Sequence, residues 1–508
     1  MSCGDCDRVK GENDDTTQFV ESLLGFKLRD TELDLHATND LAERCFAKFE
    51  DTTASMECRA LALYTVVAQI SGGNRLMFVH FQGVCRRLQN RVVLSQPTDG
   101  AGAAEFHREI INAISVVFET APEKLVNSSF GPVMQYLVRQ VSCKNIEIAL
   151  RACEFWAKYP GVSGLATVRK QWLAAIQLEL PKLIPGLMEQ MIYRPAHAEY
   201  LEQVNAQYSN PTGEELPMPS SDIQSFAALR NLAANAFERV AYYYPSELIC
   251  ATFRPLLEKW IESDTWSRKE AAILALAAFS EGNGPSDAMR DCYPVVIPRV
   301  IDCYADPLPS LRAVACFTMP KLVGHRLRGL KDPWSRVLTC TGKATRDPVL
   351  EVRQIATRAL SALLAYGSGT SSNGRSNGVG GHTSRLVDDL VRAGQCTMDP
   401  DTRAAYFECV SHFVGRASDS LSAVDMDRLV PPLIEAWKSQ PWDCSMDGES
   451  TDDSQLTICQ FSIALANVAT YGRSLYAPYA EGVFAKACTD IEGDCQSYLS
   501  DSLCSDLF

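Results

Sequence analysis

The sequence predicts an all-α solenoid, in which about ten pairs of helices stack side by side into a right-handed superhelix. A short phrase that opens on aspartate and closes on arginine recurs along the chain, beginning at Asp264, Asp306, Asp347 and Asp399. A repeat of about 40–47 residues with two helices per unit is typical of HEAT and armadillo arrays. Such a unit buries its apolar face only by stacking on its neighbours, which produces a long concave surface suited to another protein.

The apolar period along the chain supports the same fold. From about residue 38 onward, helical periods alternate with short turns, and no window has the two-residue alternation of a sheet. The predicted pairs, written as first helix with second helix, are 38–48 with 56–72, 76–90 with 104–120, 126–141 with 144–158, 166–193 with 222–243, 246–262 with 266–282, 286–304 with 308–323, 326–342 with 349–366, 384–397 with 400–418, 425–439 with 453–472, and 475–490 with 493–506.

Prolines mark both kinds of helix. Several first helices carry paired prolines, as at Pro181 and Pro185. Second helices open on Asp-Pro, as at Asp306 and Asp347. Aspartate is a favoured N-cap residue, and proline is tolerated at the first helical position because its missing N–H would have no partner there. The Asp-Pro pairs are therefore predicted to cap the second helices directly.

Three stretches interrupt the repeats and set the predicted organisation. A tail and lead-in precede the first repeat, an acidic loop whose residues 195–222 include no Lys or Arg divides one helix pair, and a Gly/Ser/Asn-rich insert lies further on. The predicted segments are 1–37 (tail and lead-in), 38–193 (N-terminal repeats), 194–222 (acidic loop), 223–366 (central repeats with the candidate binding site), 367–382 (flexible insert) and 383–508 (C-terminal repeats).

Composition narrows the range of partners. The chain has 508 residues, of which 62 are Asp or Glu and 48 are Lys or Arg, so its net charge is −14. A phosphate backbone needs a basic face, so this balance argues against nucleic acid and favours basic protein partners. The 19 cysteines are scattered and no secretory leader precedes them, which predicts reduced thiols in the cytosol or nucleus. No apolar run reaches the roughly 18 residues of a membrane span.

The chain lacks the motifs of the common enzyme and metal classes. It has no phosphate loop, nucleophile elbow, His-Glu-x-x-His motif or EF-hand spacing. Cys3 and Cys6 form one metal-type pair, whereas a structural zinc site needs four ligands. These two thiols are more simply interpreted as part of a mobile tail. The sequence therefore predicts a binding protein without cofactor or metal, not an enzyme.

Four segments resemble transportins, which are nuclear import receptors of the importin-β (karyopherin) family. They are Ala149–Trp156, Leu180–Pro185, Trp266–Leu274 and Leu429–Trp437, and their order and spacing agree with consecutive family repeats over about residues 38–490. The resemblance covers the middle of a transportin, so the first few repeats are expected to be missing. Either the protein is a shortened relative or the sequence is incomplete.

The resemblance implies a cargo site on the second helices. In the family these helices hold an extended localisation signal that ends in Pro-Tyr, and release follows binding of the GTPase Ran in its GTP form. It also implies nucleoporins as partners and shuttling between cytoplasm and nucleus. The positions that match the family's cargo contacts are a carboxylate and its neighbour, an apolar floor, a basic residue and a further acid: Glu238, Asn235, Leu274, Val314, Phe317, Lys321 and Glu408.

Other interpretations of these residues remain open on the sequence. Glu238 and Glu408 also suit a solvated helix face, whereas Val314 and Phe317 also suit the core between repeats. One family feature is absent, because Leu364 stands with Ala365 where the family has acids that meet a basic residue of the signal. A second, C-terminal cargo subsite would lie beyond residue 508.

The acidic loop has a counterpart in the family, where a longer loop couples Ran binding to cargo release. The residues that would serve this role here are Glu199, Glu202, Glu214, Glu215 and Asp222. A plain solvated linker is the competing interpretation. A HEAT scaffold that holds protein complexes without Ran control, similar to the scaffold subunit of a heterotrimeric phosphatase, is the alternative function.

Overall fold

Helices are the only extended regular structure in the part of the chain that the computed structural model describes. The described residues are 35–71, 84, 87, 102–120, 130–160, 166–209, 219–283, 287–322, 333–366, 383–396, 400–417, 420–438, 461, 463–471 and 476–481. The predicted all-α fold is confirmed. The predicted tail, the insert 367–382, most of helix 76–90 and helix 493–506 lie outside these residues.

Seventeen α-helices are fully bounded within the described ranges. They are α1 Leu35–Glu50, α2 Met56–Ser71, α3 Ala103–Thr120, α4 Phe130–Val141, α5 Ile146–Lys158, α6 Ala166–Met191, α7 Pro195–Ser209, α8 Ser221–Tyr243, α9 Ser246–Ile261, α10 Trp266–Gly282, α11 Tyr293–Asp302, α12 Pro309–Leu322, α13 Pro333–Ala344, α14 Leu350–Tyr366, α15 Thr383–Cys396, α16 Pro400–Ala417 and α17 Ala423–Lys438. Short 3₁₀ helices, Asp287–Met289 and Cys303–Ala305, flank α11.

The chain divides into two compact units. Unit 1 comprises Met1–His197, Pro219–Leu256 and Glu281–Asn283, and unit 2 comprises Ala198–Met218, Leu257–Ser280 and Gly284–Phe508.

Unit 1 is a two-layer stack of helix pairs. Helix α1 packs on α2, α4 on α5, and α6 on α8, which are the predicted first and second helices of successive pairs. The second helices also pack on one another in the order α2, α3, α5 and α8. We call this layer the second-helix row of unit 1.

Aromatic side chains fill the centre of unit 1. The rings of Phe118 and Trp172 lie 4.3 Å apart between centroids, and Trp156 packs against the same cluster. Two buried donors share one acceptor: the Trp172 Nε1–H and the Tyr244 hydroxyl both donate to the Pro160 carbonyl, at 3.2 and 2.9 Å. Satisfying both donors removes the cost of burying them.

Unit 2 repeats the same arrangement. Helix α11 packs on α12, α13 on α14, and α15 on α16. The second helices α12, α14 and α16 pack in that order, and Thr318 of α12 donates to the Ile273 carbonyl of α10 at 3.3 Å. We call α10, α12, α14 and α16 the second-helix row of unit 2. The first helices α11, α13, α15 and α17 form the other layer.

At Asp306 and Asp347 the helix begins two residues later than the Asp-Pro pair predicts, whereas Pro400 is the first residue of α16, as predicted. Asp306 Oδ1 accepts from the Leu308 N–H at 2.9 Å, and Asp347 Oδ1 accepts from the Val349 N–H at 3.0 Å. Helices α12 and α14 begin only after these two residues, so the aspartates close a local turn ahead of the helix and do not cap it. The reason is that an aspartate side chain can accept a hydrogen bond from the backbone N–H two residues later. The turn formed in this way competes with capping of the helix.

Arg312, the arginine that ends the phrase beginning at Asp306, links two successive repeats. The Arg312 guanidinium bonds both carboxylate oxygens of Asp347, at 2.6 and 2.8 Å. Its Nη1 also donates to the carbonyls of Asp306 and Pro307, each at 2.9 Å. Arg312 thus joins one inter-helix turn to the next, which is a structural role that the spacing of the phrase did not reveal.

A close helix approach in unit 2 depends on glycine. A Cβ at Gly342 of α13 would lie 2.7 Å from Oδ2 of Asp389, whose other oxygen accepts from Arg346 Nη2 at 2.6 Å. Asp389 is buried, and burial raises the pKa of its carboxyl although Arg346 opposes the shift. We expect Gly342→Ala to lower the free energy of unfolding by about 1–3 kcal/mol through overpacking. Urea unfolding followed by circular dichroism measures it.

The matched control is Gly131→Ala in α4, where a new Cβ meets nothing within 4 Å. Replacing a helical glycine at an open position is expected to raise stability by about 0.4–1 kcal/mol. Equal effects of the two substitutions would show that the approach of α13 to Asp389 is not tight.

The described cysteines include several that solvent does not reach. Cys153, Cys316 and Cys409 are fully buried, and burial raises the pKa of all three thiols. We expect these thiols to resist iodoacetamide in the native protein at pH 8 and to react after unfolding, because the thiolate is the reactive form. The partly exposed Cys143 serves as the internal comparison. Peptide mass spectrometry reads each site, and native labelling of the three at the rate of Cys143 would contradict the packing.

Candidate functional site

In unit 1, the matched polar residues lie on α8, the last helix of its second-helix row. Ser220 caps this helix, accepting from the Ile223 N–H at 3.4 Å. Its buried face, which includes Ala233, Ala236 and Phe237, packs against α5 and α6. On another side of α8, Gly282 of α10 lies close to the backbone of Glu238 and Tyr242.

Asn235 and Glu238 lie on the less buried side of α8. Asn235 is exposed and Glu238 is partly exposed, and their three-residue spacing places them on one helix face. Tyr242, one turn further on, is 66% exposed. Tyr242 was not among the predicted site residues, although its position four residues after Glu238 places it on the same helix face. Together the three form a polar and aromatic stripe.

In unit 2, α12 separates the two predicted floor residues. Val314 is only 5% exposed and belongs to the packed interior, whereas Phe317 is 41% exposed. The Lys321 ammonium lies 4.1 Å from the centroid of the Phe317 ring, which is a cation–π contact. The surface available on this helix is therefore an aromatic ring with a cation on it.

Leu274 and Glu408 are partly exposed residues on the neighbouring helices of unit 2. Leu274 of α10 lies beside the buried Ile273 and Ala275. Glu408 of α16 is partly exposed, and its neighbours in the sequence are buried. Both side chains thus belong to the second-helix row and retain some surface for a ligand.

A cation occupies the end of α14, where the family has acids. Arg416 of α16 donates from Nε to the Leu364 carbonyl at 3.3 Å and from Nη2 to the Ala365 carbonyl at 3.1 Å. A guanidinium at a helix C-terminus complements the helix dipole. This position is therefore positively charged, and the sequence analysis noted the missing acids but not Arg416.

The predicted acidic loop is partly helical. Residues 195–209 form α7, because Pro195 suits a helix start and the following Ala, Glu, Gln and Leu residues favour a helix. Glu199 and Glu202 are exposed on α7, and Asp222 is exposed in the first turn of α8. The assignment of 195–209 to a loop is therefore wrong, whereas Asp222 lies at the start of the helix that was predicted over 222–243. Glu214 and Glu215 lie outside the described residues.

The described ranges contain neither a cluster of metal-ligating side chains nor a helix that could span a membrane. Within them, no group of three or more His, Cys, Asp or Glu residues could hold a metal ion. Their helices are each too short or too polar to cross a bilayer. Cys3 and Cys6 lie outside the described residues.

The chain is similar in sequence to transportins, although no protein-family profile matches it. It is 23% identical over 421 residues to transportin-1 of Mus musculus, covering 76% of this chain and 43% of that protein. It is 21% identical over 374 residues to importin subunit beta-2 of Saccharomyces cerevisiae, covering 65% of this chain and 37% of that protein. The chain thus spans less than half the length of these relatives.

Solved structures share the fold. The karyopherin Kap121p bound to the SUMO protease Ulp1p superposes with a TM-score of 0.63 at 15% identity, over 92% of this chain and 42% of that one. Kap121p bound to Nup53p gives the same TM-score and identity, over 94% of this chain and 42% of that one. With the stacked helix pairs, the matches in sequence to transportin-1 and importin subunit beta-2 support a transportin-like relationship to the importin-β family over part of its length.

Proposed function

We propose that this chain is a nuclear import receptor, which binds localisation signals of the Pro-Tyr class on its second-helix rows and shuttles between cytoplasm and nucleus. The family is one of transport receptors and not of enzymes, so binding is the activity to explain. The observation that carries the proposal is the exposed Phe317 ring on the second-helix row of unit 2. A ring left in solvent on such a row suits an apolar ligand group.

In unit 2, Phe317 and Leu274 would pack against apolar side chains of the cargo. Aromatic rings supply a large apolar contact area, and Lys321 on the ring adds a charge for a peptide carbonyl. Val314 would support this surface from below, because it is buried. Glu408 would meet a polar or basic group of the cargo.

In unit 1, the α8 stripe suits polar groups of an extended peptide. The Glu238 carboxylate would accept a hydrogen bond from a tyrosine hydroxyl, which is a charge-assisted bond of the stronger kind. The Asn235 amide can both donate to and accept from a peptide backbone. Tyr242 adds an exposed ring to the same stripe.

Arg416 would shape the choice of cargo. Its guanidinium at the end of α14 repels a basic residue brought to that position. Signals that are hydrophobic or acidic at the corresponding point would bind better than basic ones. We therefore propose that the chain prefers the less basic members of the Pro-Tyr class.

Release and docking complete the proposed cycle. Ran-GTP would compete with cargo through a change of helix packing, and the acidic segment that includes Glu199, Glu202 and Asp222 would assist by attracting basic cargo residues. Glu214 and Glu215 would extend the same charge. Structures of Kap121p with Ulp1p and Nup53p support cargo proteins and nucleoporins as the two other kinds of partner.

Fluorescence anisotropy with a labelled Pro-Tyr signal peptide tests the proposal. We expect saturable binding that weakens at least tenfold when the Pro-Tyr of the peptide is changed to Ala-Ala. A pull-down of Ran locked with GTP or with GDP forms the second arm, since only a transport receptor distinguishes the nucleotides. Equal binding of both peptides together with indifference to the nucleotide would instead indicate a HEAT scaffold.

A further inference from the structure

A pocket lies within unit 1, on a different part of its second-helix row from the α8 stripe. Its volume is about 300 Å³, and α2, α3 and α5 line it. This volume is at the lower end of the range for ligand sites, so it suits one large side chain better than a whole ligand.

The floor of this pocket, which we call the α2–α3–α5 pocket, is apolar. Val67, Ile111 and Phe155 come from the three helices in turn, and each is buried. The walls are aromatic, because Tyr64 rises from α2 with 53% of its surface exposed and Tyr159 closes the end of α5. An apolar floor between two phenol rings favours a flat or extended group.

Two of the three glutamates that line the pocket form ion pairs with basic side chains. The two basic residues of the lining both bond Glu154, Arg151 at 2.7 Å and Lys158 at 3.1 Å. Burial opposes ionisation of Glu154, but these two bonds outweigh it and lower its pKa, so its charge is balanced. Glu109 is buried and bonds Arg108 at 3.2 Å and Asn112 at 3.3 Å.

Glu119 is the remaining carboxylate of the lining. It is exposed at the end of α3 and accepts a hydrogen bond from the Tyr159 hydroxyl. Burial and this bond raise the pKa of Tyr159, so the donor stays neutral and leaves the charge of Glu119 uncompensated. Among the described residues, no Lys or Arg forms an ion pair with Glu119.

We propose that the α2–α3–α5 pocket binds an arginine side chain of an extended segment of a partner protein. The guanidinium plane would stack on the exposed Tyr64 ring, and its fork of N–H groups would bond Glu119. The methylene stem would cover the apolar floor. A guanidinium meets all three features at once, whereas an ammonium lacks the plane that stacks and the fork that matches a carboxylate.

Two other occupants fit less well. An anion would approach Arg151 and Lys158, but both cations already bond Glu154, and Glu119 would repel it. A purely apolar side chain would leave the Glu119 carboxylate partly desolvated without a partner, which is costly. The proposal concerns unit 1 alone and does not depend on the Pro-Tyr site proposed above.

Ligand-observed NMR titration tests the proposal with four nine-residue Gly/Ser peptides that differ at the central position, which is arginine, citrulline, lysine or glutamate. Citrulline keeps the shape of arginine without its charge. We expect the arginine peptide to bind at least tenfold more tightly than the citrulline and glutamate peptides, and at least threefold more tightly than the lysine peptide.

Variants of the full chain locate the binding. Glu119→Lys is expected to weaken binding of the arginine peptide at least tenfold, and Tyr64→Ala is expected to weaken it about threefold or more. Glu43→Lys is the matched control, because it makes the same charge change at an exposed residue of α1 in unit 1, and it should change affinity less than twofold. Circular dichroism verifies that all variants are folded.

Equal losses in Glu119→Lys and Glu43→Lys would overturn the proposal, since they would show a general attraction to the acidic chain. Tighter binding of the glutamate peptide, or equal binding of the arginine and citrulline peptides, would overturn it as well. Glu238→Lys keeps this test separate from the Pro-Tyr proposal. It should leave the arginine peptide unaffected, whatever it does to a Pro-Tyr signal.

Discussion

Replacing Arg312 by alanine is expected to lower the free energy of unfolding of unit 2 by about 3–5 kcal/mol. The side chains of Arg312 and Asp347 are only 13% and 7% exposed. The substitution removes two bonds to that carboxylate and leaves its charge buried without the guanidinium, which is the costly way to break such a pair. The same change frees two backbone carbonyls in the turn before α12.

Urea unfolding followed by circular dichroism measures this loss. Arg290→Ala is the matched control, because its ion pair with Asp287 is in solvent, with the two side chains 73% and 84% exposed. Exposed pairs contribute about 0–1 kcal/mol, so the control should unfold close to wild type. If both substitutions cost the same small amount, the bond between the two turns does not stabilise the stack.

Phe317→Ala and Glu238→Lys are each expected to weaken binding of a Pro-Tyr signal peptide at least tenfold. The first removes the exposed ring of unit 2 on which apolar groups of the signal would pack. The second reverses the charge that would accept the tyrosine hydroxyl. Truncation of a central aromatic contact at an interface commonly costs about 2 kcal/mol or more, which corresponds to about thirtyfold in affinity.

Each variant has a control on a first helix. Val295→Ala removes an exposed apolar side chain of α11, which is 55% exposed. Glu247→Lys reverses an exposed charge in the first turn of α9. Anisotropy titrations with one labelled peptide compare all four. Wild-type affinity in both second-helix variants, or equal losses in the controls, would show that the matched residues are not the cargo contacts.

Helix positions followed closely from the sequence. The apolar period predicted helices at 266–282 and 349–366, and the structure has Trp266–Gly282 and Leu350–Tyr366. Period and turn residues are local properties, so a single sequence records them well. The predicted helix 286–304 divides into α11 with a 3₁₀ helix on each side. The reason is that Pro294 favours a helix start, so α11 begins at Tyr293.

Other features depend on partners distant in the sequence. The bond from Arg312 joins it to Asp347 in the next repeat, and Arg416 reaches the carbonyls of Leu364 and Ala365 more than fifty residues earlier. No local pattern specifies such pairs. The burial that separates Val314 from Phe317 also comes from the packing of α12, since apolar residues three apart share a face in any helix.

The acidic segment shows a different kind of error. Its charge and lack of basic residues suggested a loop, but most residues of 195–209 are good helix formers and charge alone does not prevent a helix. The α2–α3–α5 pocket was also invisible to sequence analysis. Its lining residues are spread over three helices, and only stacking brings Tyr64, Glu119 and Tyr159 together.

Hydrogen exchange of the chain with and without a bound Pro-Tyr peptide tests most directly whether the second helices hold cargo. The account predicts slower exchange in peptides from α8, α10, α12 and α16, with α11, α13 and α15 unchanged. Slower exchange confined to the first helices, or no change in exchange at saturating peptide, would contradict the account.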